Sequence, residues 1–130
     1  MLTPSDLVSR YLDALERSDL DAVLALFAPD AVVHSPLYGE RPPAEFYPEL
    51  FADTSAAKLT LHGVMEGRTR DGAPLVSFWF HFDWRLPSGV AAPFDVVDLA
   101  ELAEDGRIAA LRILYDTVDV RPSFEAARSR

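Results

Sequence analysis

The amino-acid sequence predicts an α+β domain in which N-terminal helices close over one curved, mostly antiparallel β-sheet. Two observations indicate this fold. Apolar residues recur with a helical period up to about residue 50 and with a period of two after it. Turns that contain Gly or Pro then separate four long alternating segments, as in an antiparallel meander. A chain of 130 residues suits one domain, residues 1–130, with one core.

The first part of the chain is predicted to be mainly helical. Thr3 is a predicted N-cap, and Pro4 opens a helix that continues to about Arg17, with apolar residues along one side. The expected order after it is a second helix in "SDLDAVLALF", a break at "APD", a short strand "AVVHS", a loop "PLYGE", and a turn or two of helix in "PPAEFYPELF", disturbed at Pro48.

Four predicted strands make up the second part of the chain, joined by turns at "RDG", "LPSG" and "EDG". Because side chains alternate between the two faces of a strand, each strand has an inward and an outward set of residues. The strands are "KLTLHGVMEG", "APLVSFWFHFDWR", "VAAPFDVVDLAEL" and "RIAALRILYDT".

One carboxylate interrupts the apolar face of "PFDVVDLAEL", and that residue is Asp98. A hairpin centred near Ser88 would place Phe78 opposite Asp98, and a three-residue turn at "EDG" would place Ile113 on its other side. The aromatic side of the preceding strand should face the interior with Asp98. That side carries Phe78, Phe80, Phe82 and Trp84.

Burial among aromatic and aliphatic side chains disfavours an ionised carboxyl, so the pKa of Asp98 is expected to rise. A buried polar group without a partner costs several kcal/mol, on the order of ~2–7. Asp98 should therefore be protonated, hydrogen-bonded, or both. A protonated Asp98 can donate to a developing oxyanion, and an ionised one with a raised pKa can act as a general base. The structural alternative is an aspartate that is hydrogen-bonded to Tyr11 or Tyr115.

Composition excludes several functions. The net charge is −9, with 21 acidic and 12 basic residues, so neither nucleic acid nor a membrane is an expected partner. The chain has no cysteine, and its three histidines lack ligand-type spacing, so no metal is expected. No cofactor is expected either, because no glycine-rich phosphate loop is present. The N-terminus does not have the pattern of a signal peptide, and a cytoplasmic location is predicted.

The segments "RYLDALERSDLDAVLALFAPDAVVHSP" and "FDVVDLAELAEDGRIAALRILYD" resemble the SnoaL-like and ketosteroid isomerase-like branch of the nuclear transport factor 2-like superfamily. This resemblance implies a cone-shaped cup, a cystatin-like α+β barrel, with the active site inside and usually a homodimer. The fold hosts isomerases, cyclases, dehydratases, epoxide hydrolases and non-enzymes, so it does not by itself identify a reaction.

The resemblance implies catalytic roles for Tyr11 and Asp98, and it identifies Ser35 as the position where the base is missing. The isomerase's two oxyanion-hole donors fall on Tyr11 and Asp98, and its general base falls on Ser35, whose hydroxyl is too weak a base. His34 could replace that base, although alternation places it on the face opposite Ser35. Otherwise Asp98 itself is the base, as in SnoaL-type polyketide cyclases. Epoxide hydrolases of the superfamily carry an arginine where this chain has Val96.

An apolar, carbonyl-bearing small molecule is the ligand that this cup would take. The candidate functions are an enzyme for proton transfer beside a carbonyl, a non-catalytic binding protein, and an interaction module with a filled cup. The rim loop offers Tyr38, Phe46, Tyr47 and Phe51 as gate residues. The predicted binding residues are Ser35, Tyr38, Phe51, Phe78, Phe80, Phe82, Trp84, Ile113 and Tyr115.

The outward faces of the same strands are unusually apolar. Trp79, Val97 and Leu99 point outward by parity, whereas outward residues of a solvated sheet are polar. Exposed apolar patches of this kind usually mark association. A homodimer through the convex face of the sheet is therefore predicted, with His62 and His81 at the surface or in that interface.

Overall fold

The structure is a computed structural model and describes residues 2–128, which form one mixed sheet of six strands and four helices. The sheet has the strand order β2-β1-β6-β5-β4-β3. The elements along the chain are α1 (Pro4–Glu16), α2 (Leu20–Leu24), β1 (Phe27–Ser35), β2 (Gly39–Arg41), α3 (Pro43–Ala52), β3 (Ala56–Arg68), β4 (Pro74–Arg85), β5 (Phe94–Leu102), β6 (Ile108–Leu114) and α4 (Arg121–Arg128).

The predicted α+β cup is confirmed. Neighbouring strands are antiparallel except β1 and β6, which run parallel, and β2 and β3 form the two edges. The sheet is therefore not closed into a barrel. Its inner, concave face carries the row Phe78, Phe80 and Phe82, and its outer, convex face carries Trp79.

Both N-terminal helices begin at side-chain caps. The hydroxyl of Thr3 accepts a hydrogen bond from the backbone N–H of Asp6 at 3.1 Å, and the carboxylate of Asp19 accepts one from Ala22 at 3.1 Å. The apolar residues of α1 then recur on the side that packs over the sheet, which buries them and orients Tyr11 toward the inner face. They are Leu7, Val8, Tyr11, Leu12, Ala14 and Leu15.

Several elements differ from the sequence-based prediction. The second helix ends at Leu24, and residues 28–30 belong to β1, where the β1–β6 pairing is irregular because Pro29 has no N–H to donate. The predicted loop "PLYGE" contains the start of β2, which pairs with β1. Residues 121–128 form α4, which anchors through the buried side chains of Val120 and Phe124. The few apolar residues of this helix lie on one side of it, in a segment that is otherwise polar.

Candidate functional site

The register of the inner face is the one predicted from the turns. Phe78 of β4 lies opposite Asp98 of β5, and Asp98 lies opposite Ile113 of β6. Val96 and Phe94 continue the inner row of β5 toward the β4–β5 turn, opposite Phe80 and Phe82. The carboxyl group of Asp98 is therefore held on the inner face by three paired strands, in an apolar neighbourhood.

A cavity of about 40 Å³ lies between this face and the helices. It brings together most of the residues predicted for the site, with five further apolar side chains. The predicted residues that line it are Tyr11, Ser35, Tyr38, Phe46, Phe80, Phe82, Trp84, Asp98, Ile113 and Tyr115, and the additional ones are Leu15, Leu37, Leu50, Phe94 and Val96.

Asp98 is 1% exposed, and its Oδ1 has no hydrogen-bond partner among the described residues. The predicted alternative of a carboxyl bonded to Tyr11 or Tyr115 is therefore not what the structure has for this atom. Desolvation by burial raises the pKa of Asp98 well above its ordinary value. The neutral form is favoured because an unpaired buried carboxylate is costly, and a neutral carboxyl has a proton to donate.

Two tyrosine hydroxyls form a pair beside the carboxyl. The Oη atoms of Tyr11 and Tyr47 lie 2.8 Å apart, and both side chains are fully enclosed. Desolvation raises the pKa of each phenol well above its ordinary value, and the charge of Asp98 adds to both effects. Both phenols therefore stay protonated at neutral pH. Two hydroxyls carry two protons and share one between them, so the pair can donate the other to a ligand.

Ser35 and Tyr38, at the β1–β2 loop, are two further polar residues that line the cavity. The Oγ atom of Ser35 accepts hydrogen bonds from the backbone N–H groups of Leu37 and Tyr38, at 3.3 and 3.2 Å. This turn directs the side chain of Tyr38 inward, where it lines the cavity. The hydroxyl of Tyr38 then donates to Oδ2 of Asp53 at 2.7 Å, at the C-terminal end of α3.

His34, Phe51 and Phe78 do not line the cavity. Alternation along β1 turns His34 to the outer face, where its Nδ1 lies 3.3 Å from a carboxylate oxygen of Glu40. The structure therefore does not bring the proposed replacement base to the cup. Phe78 is buried beneath the cavity against Tyr11, with ring centres 5.6 Å apart, and Phe51 packs on Tyr47 at 6.0 Å.

α4 covers the rim of the cup. Phe124 packs against Tyr38 and Trp84, with ring centres 5.2 and 6.0 Å apart. The guanidinium of Arg121 donates to the backbone carbonyl of Pro36 at 2.9 Å, which ties the helix to the β1–β2 loop. These contacts hold α4 against Tyr38 and Trp84, two of the aromatic residues that line the cavity.

The sequence matches the SnoaL-like domain over residues 8–111, which is most of the chain. The chain belongs to the SnoaL-like family.

Solved structures with the same fold were also found. A nuclear transport factor 2-like protein of unknown function from Exiguobacterium sp. 255-15 has a TM-score of 0.72 and 21% identity, and the match covers 85% of this chain and 98% of that protein. IdmH of Streptomyces antibioticus, a proposed polyketide cyclase, has a TM-score of 0.72 and 18% identity, covering 95% and 99%. TerC, crystallised with polyporic acid, has a TM-score of 0.73 and 16% identity, covering 98% and 100%.

Two features of this SnoaL-like chain escaped the sequence analysis. Tyr47 was expected at the rim but lies in the interior, because Pro48 does not interrupt α3. The pairing of Tyr38 with Asp53 joins residues 15 positions apart, and no local pattern indicates it. A carboxylate at a helix C-terminus, where the helix dipole disfavours an anion, is the one signal that could have drawn attention to Asp53.

The outer face of the SnoaL-like sheet keeps its apolar row exposed. Trp79 is 47% exposed and lies in register with Val97, which in turn pairs with Leu114, 52% exposed. Around this row His62 packs on Trp79 and His81 pairs with Asp95. Within the described residues, no three His, Asp or Glu side chains converge as a metal site would require, and no helix has the length and apolar character of a bilayer span.

Proposed function

We propose that this SnoaL-like protein is an enzyme that transfers a proton beside a carbonyl group of an apolar small molecule, in the manner of ketosteroid isomerases and polyketide cyclases. The observation that carries the proposal is Asp98, a buried carboxyl without a partner for Oδ1 in a cavity walled by aromatic side chains. A functional group is the simplest reason to keep such a costly carboxyl in an apolar core.

In the proposed mechanism the protonated carboxyl of Asp98 and the free hydroxyl proton of the Tyr11–Tyr47 pair donate to the ligand's carbonyl oxygen. These bonds strengthen as negative charge develops on that oxygen, which lowers the barrier to enolate formation. The surrounding aromatic walls exclude water and hold the apolar part of the ligand. A cavity of about 40 Å³ is far below the ~300 Å³ of typical ligand sites, so the rim has to open for entry.

A non-catalytic binding protein is the second candidate. By the sequence resemblance Ser35 falls where the isomerase has its base, and its hydroxyl oxygen accepts hydrogen bonds from two backbone N–H groups. In that case Asp98 orients a bound carbonyl without removing a proton. The apolar ligand is the same for both candidates, so binding alone does not separate them.

Deuterium exchange separates the two candidates. 2-Tetralone, an apolar bicyclic ketone, is incubated with the protein in D₂O, and loss of its α-proton signal is followed by NMR. An enzyme should accelerate the exchange, and Asp98→Asn should lower the rate about 100-fold or more, as loss of an oxyanion donor does. The matched control is Asp30→Asn, an exposed position of β1. Binding of 2-naphthol, the aromatic analogue of the enol, without any exchange of 2-tetralone would favour the binding protein.

We also propose that two copies associate through the convex face. The outward row of Trp79, Val97 and Leu114, in which Trp79 and Leu114 are exposed and Val97 is half-buried, provides the apolar centre of an interface. The outward charges of β3 to β6 balance, although the whole chain has a net charge of −9, so this face avoids the repulsion between two acidic copies. The outward charged residues of these strands are the basic Lys58, Arg85 and Arg112 and the acidic Asp83, Asp95 and Glu101.

A further inference from the structure

We propose that Tyr38 and Asp53 form the proton acceptor of this cup and take the place of the base that is missing at Ser35. This inference rests on the proposed function, because it assigns a residue pair to the same reaction. Tyr38 lines the cavity together with Asp98, and its hydroxyl donates to Oδ2 of Asp53 at 2.7 Å. The pair therefore connects the cavity to a carboxylate outside it.

The loop geometry explains why the acceptor lies three residues beyond Ser35. The Oγ atom of Ser35 accepts the N–H groups of Leu37 and Tyr38, and this turn holds the Tyr38 side chain against the cavity. Phe46 packs edge-on against the Tyr38 ring, with centres 5.4 Å apart, which supports that orientation. Ser35 thus acts as a positioning residue, and the phenol oxygen of Tyr38 is the atom that would contact the ligand.

Burial assigns opposite roles to the two carboxyl groups. Asp98 is enclosed and favoured in its neutral form, which makes it a donor. Asp53 is half-buried at the C-terminal end of α3, where it can exchange protons with solvent. The helix dipole disfavours an anion at that end, so Asp53 is a poor choice for helix stability alone. Asp98 is thereby suited to donate a proton, and Asp53 is suited to accept one.

The step balances without any further reactant. An α C–H bond of the ligand breaks, its proton moves to Oη of Tyr38, and the phenolic proton of Tyr38 moves to Oδ2 of Asp53. The C–H electron pair forms the enolate double bond, and the carbonyl π pair moves to the oxygen that Asp98 and the Tyr11–Tyr47 pair bind. Reversal returns a proton to carbon through Tyr38 and regenerates the Asp53 carboxylate. In D₂O the half-buried carboxyl delivers deuterium.

The test compares exchange with binding in Tyr38→Phe, Asp53→Asn, the double variant, and Asp30→Asn as the matched exposed control. We expect both single variants to lower the exchange rate of 2-tetralone at least 100-fold, since a general base contributes about 10²–10⁴. The double variant should be no slower than the slower single variant, because the two residues act as one unit. Asp53→Glu should recover part of the rate, and the dissociation constant of 2-naphthol should stay within about threefold throughout.

The outcomes distinguish this assignment from the function on which it rests. Exchange that depends on Asp98 but persists in Tyr38→Phe or Asp53→Asn would overturn the assignment and leave the proposed function in place. Loss of 2-naphthol binding in parallel with exchange would also overturn it, because the pair would then only shape the cup. Absence of exchange in the unaltered protein would overturn the proposed function and this assignment together.

Discussion

Asp95 and Asp98 lie three residues apart on β5 and point to opposite faces of the sheet. Asp95 is exposed and lies 3.0 Å from the Nδ1 atom of His81, whereas Asp98 is enclosed, and its Oδ1 has no partner among the described residues. The residue type is the same, so the difference in their chemistry comes from the alternation of the strand and from what covers each face. The convex face leaves its aspartate exposed beside His81, and the concave face favours a neutral carboxyl that can donate a proton.

The largest expected effect is on the pH dependence of stability, measured by urea unfolding of Asp98→Asn between pH 4 and pH 8. Near pH 4 the carboxyl is protonated in the folded protein and about half protonated in the unfolded chain. As pH rises, the unfolded chain loses that proton while the folded protein keeps it, so wild-type stability falls until the raised pKa is passed. Asp98→Asn has no carboxyl at this position to ionise. Its free energy of unfolding relative to that of the wild type should therefore rise by about 1.4 kcal/mol per pH unit over that range. A difference that stays constant with pH would contradict the concave-face environment.

Asp95→Asn is the matched change on the convex face of the same strand. Its side chain is 66% exposed, so we expect a change in the free energy of unfolding within about 0.5 kcal/mol. A larger effect would mean that exposure does not explain the contrast between the two aspartates.

The next effect concerns the convex face itself. Trp79→Glu should weaken self-association by about 2 kcal/mol or more, roughly 30-fold in dissociation constant, because a central tryptophan is a typical hot spot. Light scattering and sedimentation measure it. The control is Val118→Glu, which alters an apolar residue that is 68% exposed away from the sheet. A wild-type protein that is monomeric at micromolar concentration would contradict the dimer proposal.

The smallest effect concerns closure of the cup. Phe124→Ala removes the ring that packs on Tyr38 and Trp84, so opening the rim should become easier. If opening limits entry, the association rate of 2-naphthol should rise about tenfold for each ~1.4 kcal/mol lost from closure. Stopped-flow fluorescence provides the rate. An unchanged rate would place the entrance elsewhere on the cup.

The residues of the inner face were predictable because the alternation of side chains along each strand and the position of each turn together determine the strand register. Phe78, Asp98 and Ile113 lie in register as the turns "LPSG" and "EDG" require, and a slip by one residue would have turned Asp98 outward. The parallel pairing of β1 with β6 was not predictable in this way, because contacts between distant segments decide it and alternation along a strand does not identify its partner. The helix α4 was missed although its apolar residues share one side, because its segment is short and mostly polar.

For the candidate site, the residues on regular elements were predictable and those on the loop and α3 were less so. Residues on regular strands and on α1, such as Trp84 and Tyr11, line the cavity as expected from their parity or helical face. Residues of the β1–β2 loop and α3 were harder, because a turn at Ser35 and an uninterrupted helix across Pro48 determine where Tyr38 and Tyr47 point. His34 was left open by the sequence, and strand alternation places it outside the cup.

The most direct test of the account is the titration of the Asp98 side-chain carboxyl carbon by NMR, with Asp98→Asn to assign its signal. We expect a midpoint well above the ordinary aspartate value of about 4, since the carboxyl is enclosed in an apolar cavity. A midpoint near 4 would mean that the carboxyl is solvated or paired with a charge. That result would contradict the central claim, and a proton-donating site built on Asp98 would have to be abandoned.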